Sequence, residues 1–133
     1  MKIYTGYFAK TKVYEQKGLR PIAIALYPPN WFSGHQFLPL APKGYMMSRT
    51  MPIPVFDREY KKHVLGVCDQ KTIVQQLERI SKGQDIVLLC FERLQEECHR
   101  ALVAEWLNKA GFDVQEYDLG ENKKPVATQL GLF

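Results

Sequence analysis

Apolar and polar positions along the chain alternate between two periods, and the switches between them mark the elements. Residues 2 to 8 alternate loosely, Ile3, Thr5 and Tyr7 against Lys2, Tyr4 and Gly6, which is the period of a strand. Pro21-Ile22-Ala23-Ile24-Ala25-Leu26 is a nearly continuous apolar run, the pattern of a strand covered on both faces. Pro28-Pro29 ends it, because proline has no amide hydrogen to give a ladder. Val55, Phe56, Tyr60, Val64 and Leu65 then share a helical face, opposite Arg58, Glu59, Lys61 and Lys62. Asp69 is the N-cap of a further helix in which Ile73, Val74, Leu77 and Ile80 form the buried stripe, and Gly83 stops it. Ile86 to Phe91 reads as a central strand. The next helix buries Leu102, Val103, Trp106, Leu107 and Ala110 and ends at Gly111, and Val114 to Tyr117 make a last short strand.

Strands alternating with helices in this order predict an α/β fold: a single domain, residues 1–133, with a mostly parallel sheet and helices packed on its faces. The body spans 1–120 and a tail spans 121–133. Two stretches stay without an element. Residues 10–18 are polar, and Tyr27 to Pro54 is rich in proline, glycine and aromatics without a clear period, which reads as a functional loop or a set of short elements.

Composition narrows the setting. A chain of 133 residues buries a sizeable core without disulfide support, and three cysteines, an odd number, fit a reducing cytosol. The amino terminus MKIYTGYF has no long apolar segment or small-residue cleavage site, and no apolar run approaches the length of a spanning helix. The expected setting is cytoplasmic, without a membrane. The formal charge of +4 and a pI near 9.0 permit a polyanionic partner without demanding one. The basic residues come as pairs such as Lys61-Lys62 and Lys123-Lys124, never as a long run, so a solvated mixed surface explains them as well. Nothing in the composition indicates an oligomeric state.

The chemistry concentrates between residues 86 and 107. A strand, an acidic loop and then Cys98-His99-Arg100 at the start of a helix bring a thiol, an imidazole and a guanidinium to a strand-to-helix junction, where α/β proteins keep their sites. A helix amino terminus lowers a thiol pKa, which would make Cys98 reactive. Glu92, Glu96 and Glu97 act against that, and a packed, inert Cys98 is the competing reading. His99 shares a face with Val103, Trp106 and Ala110, so its ring points toward the sheet, as a base or as a core histidine bonded to a carbonyl. Cys90 ends the central strand facing the same crevice, or simply packs there.

Spacing excludes some reactions. A phosphatase loop starting at Cys90 would need arginine where Glu96 stands, and a glutamate repels the phosphate dianion. Cys90, Cys98, His99, His35 and His63 are competent zinc ligands, but their intervals match no finger or ribbon, so no metal and no cofactor is expected. Trp31, Phe32, Phe37 and Tyr45 could wall the crevice and stack a planar ligand, or could cover the sheet edge as ordinary core; Tyr60 carries the same two readings.

Leu88-Leu89-Cys90-Phe91-Glu92, followed by Cys98-His99-Arg100 and Val103-Ala104-Glu105-Trp106-Leu107, resembles the signature of the domain of unknown function 488 family. Ile3-Tyr4-Thr5, Leu40-Ala41-Pro42-Lys43, and Tyr60 with Val64-Leu65 look like earlier parts of that family, so the likeness reaches to about residue 118. The resemblance implies a small cytoplasmic α/β domain with suspected enzymatic activity, carried by Cys98, His99 and Arg100 with Cys90 and Glu92 beside them. One departure is that many members place an arginine after the second strand, ahead of the proline, where this chain reads Leu26-Tyr27-Pro28.

Two functions from different classes follow. One is a small enzyme acting on a nucleotide, nucleic-acid base or other anionic small molecule, with Arg100 orienting the anion, Cys98 or His99 acting on it, and Cys90, Glu92, Trp31 and Tyr60 lining the ligand. The other is a non-catalytic module binding a ligand or nucleic acid, in which His99 and Arg100 staple the long loop to the sheet.

Overall fold

The computed structural model describes residues 1–91 and 99–120. In chain order these form β1 (Ile3–Tyr7), α1 (Thr11–Gln16), β2 (Arg20–Ala23), β3 (His35–Gln36), α2 (Ile53–His63), α3 (Gln70–Ser81), β4 (Ile86–Cys90), α4 (Arg100–Lys109) and β5 (Val114–Glu116). The strands make one sheet in the order β3-β2-β4-β1-β5, every pairing parallel, which gives the expected single-domain α/β architecture. β4 enters between the two earliest strands, with Ile3 opposite Ile86 on one side and Arg20 opposite Ile86 on the other. The carboxyl ends of β2 and β4 therefore lie next to each other.

All five residues of β4 are buried, which explains their unbroken apolar run. Strand periodicity still sorts them. Ile86, Leu88 and Cys90 join the larger core with side chains of α2, α3 and α4, including Tyr60, Leu77, Val103 and Leu107. Val87 and Leu89 face the other way, into a smaller cluster with Phe8 and Tyr14. Cys90 thus points to the face that α2 and α4 cover.

The helix signals of α3 are realised: the Asp69 carboxylate accepts from the Thr72 amide at 3.0 Å, and the chain leaves the helix through Lys82 and Gly83 at positive φ. Two elements differ from the sequence reading. The polar stretch after residue 10 holds α1, and the long segment from 27 to 54 contains β3 and two 3-10 turns, Leu38–Leu40 and Gly44–Met47. That segment is fastened at a distance. Gln36 donates from its side chain to the carbonyls of Ala25 and Leu26 at 3.1 and 2.9 Å, and the Tyr60 hydroxyl donates to the Leu40 carbonyl. β2 is also shorter than its apolar run, since only Arg20–Ala23 are in regular strand. No helix among the described residues is long and apolar enough to cross a membrane. The tail from 121 lies outside them.

Candidate functional site

The site is built where β4 ends and α4 begins. His99 immediately precedes α4, and its Nε2 lies 2.7 Å from the Ile24 carbonyl oxygen beyond the end of β2. A carbonyl only accepts, so Nε2 carries the proton. Nδ1 is then unprotonated, and Cys90 Sγ lies over the ring, 3.4 Å from Nδ1 and 3.7 Å from Nε2. Burial is the main reason the imidazole stays neutral, pushing its pKa down to about 4; the Ile24 bond opposes that shift, and the Arg100 charge adds to it. The rings of Tyr60 and Phe56 stand behind the imidazole, with centroids 5.0 and 6.3 Å away.

Cys90 is disulfide-bonded, whereas Cys68 is free, so the chain's cysteines are not all the reduced thiols the composition suggested. In that form the sulfur has no proton to share with Nδ1. Only a reduced Cys90 could donate S–H to it. Cys98 and Glu92, both singled out from the sequence, lie outside the described residues.

Arg100 takes the opposite direction from its neighbour. Its side chain is fully buried beneath β1 and β5, with Nε and Nη2 donating to the two oxygens of Glu116 at 2.9 and 3.0 Å. Thr5 donates to the same carboxylate at 2.6 Å, and the Tyr7 ring lies 5.9 Å from the guanidinium carbon. Adjacent helical positions differ by about 100° around the axis, which sends His99 and Arg100 to separate surroundings.

A cavity of about 400 Å³ opens against Cys90 and His99, within the roughly 300–1,000 Å³ span of small-molecule sites. Its wall is mostly apolar, made by Leu26, Met46, Met47, Met51, Phe56 and Leu102. Tyr27, Ser48, Asp57 and His99 supply polar side chains, and among the described residues no lysine or arginine lines it. Arg100 is not part of this wall. Neither is Tyr60, which is fully buried behind His99, nor Trp31, which is 61% exposed and packs edge-on to Phe8 and Phe32. The aromatic loop residues separate in the same way: Phe37 is in the core, and Tyr45 donates to Glu59 on the surface. Among the described residues no three His, Cys, Asp or Glu side chains gather as a metal site would require.

Asp57 and the three methionines were not among the residues picked out from the sequence. Asp57 sits on the polar side of a helix stripe, and the methionines lie in or beside a 3-10 turn of a segment with no period. Only their shared cavity marks them.

Fold and site together define a small α/β domain with a ligand-sized cavity at the carboxyl edge of a parallel sheet. The chain belongs to the domain of unknown function 488 family: the model DUF488-N3a, described as "Active DUF488-N3 subclade", matches residues 12–111. No curated protein matches the chain, and no solved structure does.

Proposed function

We propose that this protein is a small enzyme that acts on a nucleobase or a similar flat small molecule held in the cavity, using reduced Cys90 as nucleophile and His99 as its base. The observation that carries the reading is the contact between Cys90 and His99 in the cavity wall. With the proton held on Nε2 by Ile24, Nδ1 is the unprotonated nitrogen and the one nearer the Cys90 sulfur, 3.4 Å against 3.7 Å, and both residues line a cavity of substrate size. The subclade's description as active agrees with it.

The low pKa of His99 shapes the chemistry. A neutral imidazole can accept a proton throughout the physiological range, yet a resting thiolate–imidazolium pair is disfavoured at a buried ring. The thiol proton therefore moves to Nδ1 as the sulfur adds to an electron-poor C=N or C=O carbon of the substrate, whose π pair moves onto the nitrogen or oxygen. Arg100 acts in this reading as a positioning residue. It holds α4, the helix that follows His99, against β5.

Arg100 also favours a second reading, the ligand-binding module with a structural Arg100, because it is completely buried on Glu116; it ties α4 to β5 and not, as the sequence suggested, the long loop to the sheet. Alkylation separates the two. After reduction, folded protein is treated with iodoacetamide and each cysteine is quantified by peptide mapping, in the native chain and in His99→Gln, whose amide still donates to Ile24. The enzyme reading expects Cys90 to react in the folded protein and to slow by about tenfold or more in the variant at an unchanged melting temperature. Reaction of Cys90 only after denaturation leaves the binding module standing instead.

A further inference from the structure

Among the described residues that line the cavity one is charged, and it is negative. Asp57 lies on α2, half-buried in the wall, and its side chain makes no hydrogen bond or ion pair with any described residue. A carboxylate placed there is open to N–H donors brought by a ligand. Around it the wall is apolar, with the thioethers of Met46, Met47 and Met51 giving a polarizable, adaptable surface suited to a flat ring. The opposing field from the described residues is small. The amino end of α4, where Ala101 and Leu102 reach the cavity, contributes about half a positive charge by its dipole, against a full negative charge on Asp57.

We infer that the cavity selects a flat heteroaromatic ligand bearing an amidine-like pair of N–H donors, bound with those donors on the Asp57 carboxylate and its ring against the methionine wall. The inference rests on the reading of this cavity as the substrate site and narrows its ligand class: a ring edge with two adjacent donors is accepted, and an anionic ring is refused. A carboxylate meets such an edge with two parallel bonds, so geometry adds to charge in the selection.

Three probes sharing one ring test it: benzamidine, benzamide and benzoate. They are titrated into protein labelled with carbon-13 on its methionine methyl groups, where Met46, Met47 and Met51 report the cavity and Met1, which contacts Ser81 elsewhere, is the control. Benzamidine is expected to shift the three cavity methyls with an affinity about tenfold or more above that of benzoate or benzamide, and Asp57→Asn and Asp57→Ser are expected to erase the preference at retained melting temperature. Equal binding of all three probes, or a preference that survives both substitutions, overturns the role of Asp57 and leaves the cavity as a ligand site. Failure of every probe to move the cavity methyls overturns this inference together with the proposed function. If one variant does not fold, the other decides.

Discussion

Arg100 and Glu116 close a two-bonded ion pair between α4 and β5, 2.9 and 3.0 Å on its two arms, with the arginine wholly buried and the glutamate 28% exposed. The pair joins the helix that presents His99 to the edge strand of the sheet, and Thr5 on β1 ties the same carboxylate into the next strand. The guanidinium edge formed by Nε and Nη2 is thus spent inside the fold, on Glu116.

Removing Arg100 leaves the Glu116 carboxylate uncompensated and only partly solvated. Arg100→Ala is expected to destabilise the protein by about 3 kcal/mol, the low end of the range for buried pairs because Glu116 is partly solvated. Arg100→Lys should recover only part of that, since a point charge cannot make both bonds. Urea unfolding of the two variants measures the difference, and a loss below about 1 kcal/mol for the alanine variant would contradict the staple.

His99 makes stability depend on pH. Its folded pKa, about 4, lies below the ordinary histidine value, so the unfolded chain binds the extra proton first as the solution is acidified. The contribution is complete above about pH 6.5 and is lost as pH falls toward 4, on the order of 3 kcal/mol in all. His99→Gln, which cannot titrate, should flatten this part of the stability profile. Chemical denaturation between pH 7 and 4 checks it, and an unchanged slope in the variant would assign the acid sensitivity to other groups.

The features legible in the sequence are those set by local rules. The five buried residues of β4 show as an apolar run, and the α3 cap is written in Asp69 and Thr72, three positions apart. α1 was hidden because it buries only Thr11 and Tyr14, too few to make a stripe, and β3 because two residues carry no period. At the site, Cys90 and His99 were recognisable from their place at a strand end and a helix start. The direction of Arg100 was not, since it depends on Glu116, a residue with no sequence mark of its own. Asp57 and the methionine wall reach the cavity only through tertiary packing of α2 and the segment before it.

Gly6 on β1 is required by the hidden helix. A Cβ there would stand 2.4 Å from the Tyr14 hydroxyl oxygen and 2.6 Å from its ring carbon Cζ, and that hydroxyl accepts from the Tyr7 amide at 3.2 Å. Gly6→Ala must displace a fully buried ring, at an expected cost of about 1–3 kcal/mol. Because the clash is with one side chain, Gly6→Ala combined with Tyr14→Ala should lose less than the sum of the two single changes. Strict additivity in thermal unfolding would show that the ring is not what the glycine accommodates.

The state of Cys90 gives the last prediction. It is disulfide-bonded while Cys68 is free, and the chemistry proposed for Cys90 needs a thiol, so the site is expected to be silent until it is reduced. Protein purified without reductant and unfolded in the presence of iodoacetamide should be alkylated at Cys68 and unmodified at Cys90; after treatment with a phosphine, Cys90 should be alkylated as well. Cys68 is the internal standard, because burial raises its thiol pKa only in the folded chain and both residues are equally open once unfolded. Alkylation of Cys90 in the unreduced, unfolded sample would mean that the sulfur beside His99 is already a thiol, and the requirement for reduction would be withdrawn while the Cys90–His99 contact stood.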